Sequence, residues 1–331
     1  MARRAVLAGA AATFVSAGIL PALGNDTVTL RLSSPASPTD ARSVALVEKF
    51  APMVAGFATY EPHYNATLFA QGSELEAIAM GDLEMSITSA QELATFFPEF
   101  SIFTAGYVLQ DADHQVAVFK DRLFEPFRQR VEDEMGIKLL APMYLGRRQV
   151  NLRQTKEALT VMTPDDLAGV KLRMPGTDAW QFLGKALGAN PTPMAFTEVY
   201  AALASGAVDG QDNPLLTVVD AKFYEVTNQI VLTSHLVDWN FIAFSKAVYD
   251  KLTPEQQETL TAAAWAAADF GRANQLQKEA DLVSFLQEQG LEFYEPDVAA
   301  FRRHVQDAYL ESDFAATWPE GLLKKINALG K

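Results

Sequence analysis

Two stretches in the first third of the chain alternate hydrophobic and polar residues, and helical patterns separate them. Residues 27–32 (TVTLRL) and 82–88 (DLEMSIT) show the period of two that indicates a β-strand. Residues 39–55 have helical spacing, and a second helix is expected to run from an N-capping serine, Ser73, to Met80. A strand, a helix and a second strand form the βαβ pattern, which predicts an α/β fold with a largely parallel sheet.

The middle of the chain repeats this order of elements. Residues 163–166 (TPDD) have the proline and acidic residues of a helix start, and residues 170–175 (VKLRMP) alternate as a strand. A further helix is expected to begin after Phe196 and to end at a glycine. Segments 78–85 (IAMGDLEM) and 203–210 (LASGAVDG) both lead from a helix end through glycine into an acidic strand. This similarity suggests two related α/β domains.

The last third of the chain is mainly helical in its pattern. After a helix start at Thr253, no strong helix breaker occurs before Gly290. A helix of roughly 36 residues would be ~54 Å long at 1.5 Å per residue, which exceeds one small domain. We therefore expect it to lie across both domains as a brace. Amphipathic helix is also expected after residue 300, and the lack of a long linker implies that chain crossings join the domains.

Composition narrows the functions that this chain can serve. Its 331 residues are 49% hydrophobic and 21% charged, with a formal net charge of −14. Because this charge repels phosphate backbones, the sequence argues against nucleic-acid binding. The chain contains no cysteine, which excludes disulfides, thiolate metal sites and a lipid-modified cysteine.

The N-terminal residues have the pattern of an export signal. A basic start with Arg3 and Arg4 precedes an apolar run and small residues, so we predict a signal peptide over 1–24 and a mature chain from Asn25. The paired arginines resemble a twin-arginine signal, while the general export pathway stays open and an uncleaved anchor is the alternative. No later run of about 20 apolar residues occurs, so the mature protein is expected not to span a membrane. A periplasm would retain such an exported, untethered protein.

Motifs that would indicate catalysis or cofactor binding were not found. The sequence contains no G-x-S-x-G elbow, no H-E-x-x-H motif and no glycine-rich phosphate loop. The four histidines, at positions 63, 114, 235 and 304, are far apart and are best interpreted as ordinary core or surface residues. We therefore predict no catalytic residue, no metal ligand and no cofactor.

Arginines are concentrated between residues 145 and 175 of this acidic protein. In the strand at 170–175, Arg173 points away from the face that carries Leu172 and Met174. One interpretation is a solvated strand face, with Arg148 in an ordinary surface ion pair. The alternative is a carboxylate anchor, because the planar guanidinium fork binds a carboxylate through two parallel hydrogen bonds. The pattern alone leaves both open.

A family resemblance favours the carboxylate anchor. The stretches GRRQVN, TPDDLAGVKLRMP, LGANPTPMAFTEVYAAL, GAVDGQDNP and AKFYEVTNQIVLTSHLVD lie in this order between residues 146 and 238. Together they resemble the solute-binding proteins of TRAP transporters, of the C4-dicarboxylate-binding (DctP) type. The resemblance implies a two-domain periplasmic clamshell with a long bracing helix. It places domain I at 25–145 plus 239–278 and domain II at 146–238 plus 279–331.

The resemblance also implies which residues bind the ligand. The arginine of the family's K-[IL]-R-[VM]-P strand is its main carboxylate anchor, which here is Arg173. A second arginine corresponds to Arg148, the asparagine of G-Q-[ED]-N-P to Asn213, and a phenylalanine of the pocket wall to Phe196. The weaker candidates for the rest of the site are Trp239, Asn240, Gln71, Thr88 and Gln91. For Phe196 the alternative is core packing, and for Trp239 it is hinge packing.

The remainder of the ligand is less constrained. Some relatives carry an acid and an arginine in the turn after the LEMSI strand, whereas residues 88–91 (TSAQ) are uncharged here. We expect a sugar acid because Asn213, Asn240, Thr88 and Gln91 offer partners for hydroxyl groups. Small keto, hydroxy or aromatic acids, and a periplasmic enzyme acting on such acids, are the alternatives.

The resemblance also implies a partner and a mechanism. The closed receptor would deliver the acid to the membrane subunits of a TRAP permease, with the protein a monomer or a homodimer. A receptor that signals to a sensor kinase would use the same clamshell. The sequence does not distinguish these two roles.

Overall fold

A computed structural model describes residues 27–330 of the protein, except for the side chain at position 280. The predicted signal peptide and its cleavage position lie outside the described residues. Among those residues, no helix combines the length and the apolar composition needed to cross a bilayer.

Nine strands within residues 27–330 form one mixed sheet. They are β1 (Val28–Ser33), β2 (Ala58–His63), β3 (Met85–Ser89), β4 (Ile137–Leu152), β5 (Lys171–Met174), β6 (Asn190–Pro193), β7 (Gly210–Asn213), β8 (Gln229–Ser245) and β9 (Glu292–Tyr294). Their order in the sheet is β2-β1-β3-β8-β4-β7-β5-β6, and β9 pairs with β8.

Helices connect the strands and cover the sheet. They are α1 (Ala41–Ala45), α2 (Ala51–Val54), α3 (Glu74–Met80), α4 (Ala90–Phe96), α5 (Ala112–Lys120), α6 (Glu125–Met135), α7 (Asp178–Ala186), α8 (Val199–Ser205), α9 (Leu215–Asp220), α10 (Lys246–Tyr249), α11 (Pro254–Glu288), α12 (Val298–Leu310), α13 (Asp313–Ala316) and α14 (Leu322–Leu329). A π-helical turn, Leu46–Phe50, joins α1 to α2. Short 3₁₀ turns occupy Pro98–Phe103, Arg122–Phe124, Pro164–Leu167, Phe196–Glu198 and Phe223–Glu225.

Two long strands, β4 and β8, pair antiparallel with each other at the centre of the sheet and extend into both of its halves. We call β1–β3 with α1–α6 the first lobe, and β5–β7 and β9 with α7–α9 the second lobe. The first lobe joins the sheet where β3 pairs with Asn240–Phe244 of β8, and the second where β7 pairs with Gln149–Leu152 of β4. Pairing within each lobe is parallel, as the βαβ pattern predicts, while β3–β8, β4–β7 and β4–β8 are antiparallel. Two of the chain crossings between the lobes therefore lie in continuous strands rather than in loops.

The expected α/β fold with a long bracing helix is confirmed. Helix α11 has 35 residues and begins with a capping box in which Thr253 and Gln256 bond each other's backbone N–H. Its first half supplies Leu260 and Ala264 to a core shared with β1, α1 and α2. Its second half supplies Leu286 to a core shared with α8 and α9. One helix thus stabilises both lobes.

The first-lobe helix α3 begins differently from the prediction. The hydroxyl of Ser73 donates to the carbonyl of Ala70 and makes no capping bond to the helix. The backbone N–H of Gly72 instead donates to Glu74, whose carboxylate is turned back at the helix start. The helix still ends at Gly81 in the left-handed conformation, as expected from the sequence.

The C-terminal helices contact both lobes. Residue Phe301 of α12 and Ile326 of α14 belong to the same buried cluster as Leu183 of α7 and Val118 of α5. The ring of His114 in α5 also bonds the carbonyl of Ile326 through Nε2. The boundaries at 145/146, 238/239 and 278/279 remain a prediction.

Gly146 occupies the point where β4 crosses from one lobe to the other. Its φ is +120°, and the β4–β8 register shifts between Tyr144 and Gly146. A Cβ at this position would lie 2.7 Å from the Cβ of Pro214 and 2.8 Å from Nε2 of Gln275. Only glycine fits both the backbone and the space.

Gly146→Ala is therefore expected to lower the free energy of unfolding by roughly 1–3 kcal/mol, from backbone strain and overpacking. Chemical denaturation of the two proteins measures this difference. Gly56→Ala is the matched control, because no atom lies within 4 Å of its Cβ position and its φ is not positive. Equal losses in both variants would contradict the steric account.

Candidate functional site

A cavity lies between the two lobes and has charged residues on both sides. From the first lobe it is lined by Arg42, Gln71 and Glu92, and from the second by Arg173, Trp180 and Phe196. The crossing strands add Arg148, Asp238 and Asn240, and β7 ends at the cavity with Asn213. The ends of several strands and helices thus converge on one enclosed polar space.

Arg173 is a buried cation with an open hydrogen-bonding edge. Its side chain in β5 is 1% exposed, and Nε and Nη2 donate to the carbonyl of Met194 at 3.0 and 2.7 Å. Nη1 has no partner, and no carboxylate forms an ion pair with Arg173, within residues 27–330. Burial, followed by the charge of Arg148, lowers the pKa of Arg173 to about 9. The edge formed by Nη1 and Nη2 is available for a bidentate anion.

Arg148, the other predicted anchor, is already balanced by two carboxylates. Its Nε donates to Oδ2 of Asp238 at 2.7 Å, and Nη1 lies 2.9 Å from Oδ1 of Asp212. Its Nη2 donates to Oδ1 of Asn213 at 3.0 Å. Burial alone would lower the pKa of Arg148, but the two aspartates raise it above its ordinary value. Arg148 thus holds Asn213 in place and has less free charge than Arg173.

A chain of hydrogen bonds continues from Arg148 into the first lobe. Asn240 donates to Oδ1 of Asp238 at 2.9 Å and accepts from Nη1 of Arg42 at 2.8 Å. Arg42 also donates to both oxygens of Asp40 at 2.9 Å. Every charge in this chain has an oppositely charged neighbour, which leaves Arg173 as the cavity cation without one among the described residues.

Aromatic rings form two walls of the cavity. The guanidinium of Arg148 lies over Trp180 with its Cζ 4.2 Å from the ring centroid. The ring of Phe196 lies 5.8 Å from Cζ of Arg173 and packs edge-on against Phe223. The backbone N–H of Phe196 donates to Oε1 of Gln71 at 2.8 Å, so a direct hydrogen bond joins the lobes at the cavity.

Three of the nine residues proposed from the sequence lie elsewhere. Trp239 is 1% exposed and packs in the aromatic core, with ring centroids 5.1 Å from Phe103 and 4.8 Å from Phe241. Successive side chains of a strand face opposite sides, so Trp239 and Asn240 cannot both face the cavity. Thr88 donates to Glu92 at 2.9 Å and Gln91 is buried, and neither lines the cavity. The other six, Arg173, Arg148, Asn213, Phe196, Asn240 and Gln71, do line it.

The cavity is also lined by residues that were not predicted from the sequence, among them Arg42, Glu92, Trp180 and Asp238. The uncharged turn at 88–91 suggested that one charge of each sign was lost, yet Glu92 and Arg42 supply one of each. Glu92 could have been found, since Ser89 and Glu92 match a capping box, which the structure shows to be formed. Asp238 could have been found from its spacing of two from Asn240 in β8. No local signal distinguishes Arg42 from other arginines at a helix start.

Glu92 and Glu74 are neighbouring carboxyl groups, and the pKa of each is raised. Burial, followed by the charge of Glu92, raises the pKa of Glu74 to about 8. Burial also raises the pKa of Glu92, although bonds from Ser89 and Thr88 oppose the shift. Glu74 is therefore the member of this pair that holds a proton at neutral pH, next to the negative charge of Glu92.

Known solute-binding proteins match this chain in sequence. Residues 33–314 match the family model described as bacterial extracellular solute-binding protein, family 7. The sialic acid-binding periplasmic protein SiaP of Vibrio cholerae is 30% identical over 239 residues, which are 72% of this chain and 73% of that protein. These matches agree with the resemblance found in the sequence.

Solved structures match over nearly the whole described chain. A TRAP periplasmic solute-binding protein from Roseobacter denitrificans, with bound 3-deoxy-D-manno-oct-2-ulosonic acid (KDO), is 74% identical. The match covers 92% of this chain and 100% of that one, with a TM-score of 0.92. A second protein from Roseobacter denitrificans, with bound L-galactonate, is 27% identical over 92% of this chain and 99% of that one, with a TM-score of 0.81.

The titration of Glu74 predicts a pH effect on stability. Its pKa is about 8 in the folded protein, against an ordinary value of 4.5, so the folded state holds a proton that the unfolded state releases. This stabilisation is complete below about pH 4.5 and is lost as the pH rises through about 8. The Glu74→Gln variant keeps the neutral form at every pH. Its melting temperature should therefore exceed that of the wild type by a margin that grows from pH 5 to pH 8.

The control for this titration is Glu76→Gln, which removes an exposed carboxylate from the same helix. Thermal unfolding of the three proteins at intervals of half a pH unit measures the margins. A constant difference between Glu74→Gln and the wild type across this range would contradict the assignment.

Proposed function

The chain belongs to family 7 of the bacterial extracellular solute-binding proteins, and from this premise we propose that it captures a sugar acid of the 3-deoxy-2-ulosonic class. KDO is the representative of this class that we propose as the ligand. The ligand lies in the cavity between the lobes, with its carboxylate on Arg173 and its hydroxyl groups towards the crossing strands and the first lobe.

The observation that carries this proposal is the buried, unneutralised guanidinium of Arg173. A buried cation without a counterion is unfavourable by several kcal/mol, so the closed cavity is strongly stabilised by an anion. The free edge of Nη1 and Nη2 has the planar geometry that a carboxylate matches with two bonds. Because Arg148 is balanced by Asp212 and Asp238, one carboxylate satisfies the requirement for negative charge.

Amide groups and Glu92 around the cavity suit a ligand with hydroxyl groups. Asn213 and Asn240 are held by hydrogen bonds to Arg148 and Arg42, which fixes the orientation of both amides. Fixed amides favour ligands whose hydroxyl groups both donate and accept. The relatives support this chemistry, since the protein at 74% identity was crystallised with KDO and the one at 27% with L-galactonate.

Closure of the lobes completes the binding mechanism. The acid first meets Arg173 and Asn213 in the second lobe, and the first lobe then excludes water and forms the bond between Gln71 and Phe196. The closed form delivers the acid to the membrane subunits of a TRAP permease. We place the protein in the periplasm, exported by the signal peptide at 1–24.

The protein acts in this proposal as a receptor and not as an enzyme of sugar acids. The family and its solved relatives are solute-binding proteins. Incubation with KDO followed by mass spectrometry is expected to return the ligand unchanged. Formation of a new product in proportion to protein and time would favour the enzyme alternative.

KDO is expected to bind the mature chain, residues 25–331, tightly enough to shift its thermal unfolding. A ligand present at a thousand times its Kd adds ~4 kcal/mol to the free energy of unfolding. The protein is first unfolded and refolded to remove any ligand carried from the cell. Calorimetric titration with KDO, L-galactonate, pantoate and an aromatic acid then ranks the acids. Preference for the aromatic acid or pantoate over KDO would contradict the proposed class.

Arg173→Met is expected to reduce the affinity for KDO by at least about 30-fold, since truncating one partner of a buried charge pair costs about 2–5 kcal/mol. Methionine keeps much of the length of the side chain, so the fold is retained. Arg147→Met is the control, because Arg147 lies on the same crossing strand as Arg148 but is exposed. Near wild-type affinity in Arg173→Met would show that the carboxylate binds elsewhere.

A further inference from the structure

Glu92 presents one unused carboxylate oxygen in the cavity that holds Arg173. Its Oε2 accepts from the hydroxyl of Thr88 at 2.9 Å and from the backbone N–H of Ser89 at 2.8 Å. The N–H of Glu92 donates to the hydroxyl of Ser89 at 3.1 Å, which completes the capping box of α4. These bonds fix the side chain, and its Oε1 accepts no hydrogen bond from any residue of the described chain. The free oxygen is therefore held in place and open to a ligand.

No basic side chain of the described residues donates to this oxygen, although the charge of Arg42 acts to lower the pKa of Glu92. The nearest basic residue of the first lobe that lines the cavity, Arg42, is bound to both oxygens of Asp40 and to Asn240. No ion pair joins Glu92 to a basic residue in the described part of the chain. The charge of Glu92, after burial, raises the pKa of the neighbouring buried carboxyl group of Glu74 to about 8. The first lobe thus offers the cavity a free acceptor at Glu92, and the second lobe offers it the free donor edge of Arg173.

We propose that Glu92 is a specificity-determining residue, which accepts a hydrogen bond from a hydroxyl group at the far end of the ligand and excludes a second carboxylate. This inference rests on the proposed function, since it assumes an acid anchored on Arg173 in the other lobe. A hydroxyl that donates to Oε1 forms a charge-assisted bond. A carboxylate in its place would face the carboxylate of Glu92 without a donor between them, and such like-charge contact in an enclosed site is strongly unfavourable. The receptor would therefore select polyhydroxy monocarboxylates over dicarboxylates.

Glu92→Gln tests this because it changes the group that faces the ligand and little else. The amide oxygen of glutamine can keep both bonds from Thr88 and Ser89, which turns the NH₂ group towards the cavity. An acceptor with negative charge is thereby replaced by a neutral donor at the same place. Ligand hydroxyl groups can still accept from this donor, and a second carboxylate would now find a partner.

L-Galactonate and galactarate form the matched pair of ligands, because they differ only in a hydroxymethyl or a carboxylate at carbon 6. Their Kd values are measured by competition against KDO for the wild type, Glu92→Gln and Glu76→Gln. We expect the wild type to prefer galactonate by at least about 30-fold, as like-charge exclusion of several kcal/mol implies. Glu92→Gln should narrow this ratio by at least about 10-fold, the size of a hydrogen bond to a charged group. Glu76→Gln removes the same charge from an exposed site and should leave the ratio within about threefold.

The outcomes separate this inference from the function on which it rests. If the wild type binds neither KDO nor galactonate, the proposed function is wrong and the inference falls with it. If the wild type binds KDO but does not discriminate against galactarate, only the role of Glu92 is wrong. The same conclusion follows if Glu92→Gln keeps the wild-type ratio. The wild-type comparison needs no variant, so it still decides the matter if Glu92→Gln does not fold.

Discussion

The buried guanidinium of Arg173 needs an anion that the described part of the chain does not supply. Strand β5 carries it into the cavity, and the carbonyl of Met194 occupies one edge of its fork, which leaves the edge of Nη1 and Nη2 open. Burial and the charge of Arg148 lower the pKa of Arg173 to about 9. Enclosure of this cation is unfavourable without a bound carboxylate, so ligand binding and closure of the two lobes are linked by one electrostatic requirement.

The crossing strands β4 and β8 connect the ligand site to both lobes. Strand β4 brings Arg148 to the cavity, and β8 brings Asp238 and Asn240, so the hydrogen-bonded chain to Arg42 passes from one lobe to the other. Arg42 and Arg148 are thus both paired with carboxylates, and Arg173 is the cavity cation that has none among the described residues. Helix α11 packs into the cores of both lobes. The arrangement therefore favours a ligand with one carboxylate and many hydroxyl groups.

The sequence predicted the features that depend on local patterns. The βαβ order, the start of α11 at Thr253 and the alternation that aims Arg173 away from Leu172 all follow from neighbouring residues. Features that depend on tertiary contact were missed or wrong. Ser73 makes no capping bond because its backbone is helical, with φ −99° and ψ −3°, and its hydroxyl donates to Ala70. Arg42 reaches the cavity through tertiary packing, where its guanidinium bonds Asn240 of β8. The error at Trp239 was avoidable, since the strand period places it opposite Asn240.

A crystal structure of the protein with bound KDO tests most directly whether Arg173 anchors the carboxylate of the ligand. The account predicts the carboxylate of KDO within about 3 Å of Nη1 and Nη2 of Arg173, the normal range for such hydrogen bonds. It also predicts the hydroxyl-bearing end of the sugar acid next to the first lobe. A reversed ligand, with its carboxylate on Arg42 and only hydroxyl groups near Arg173, would contradict the anchoring role on which the account rests.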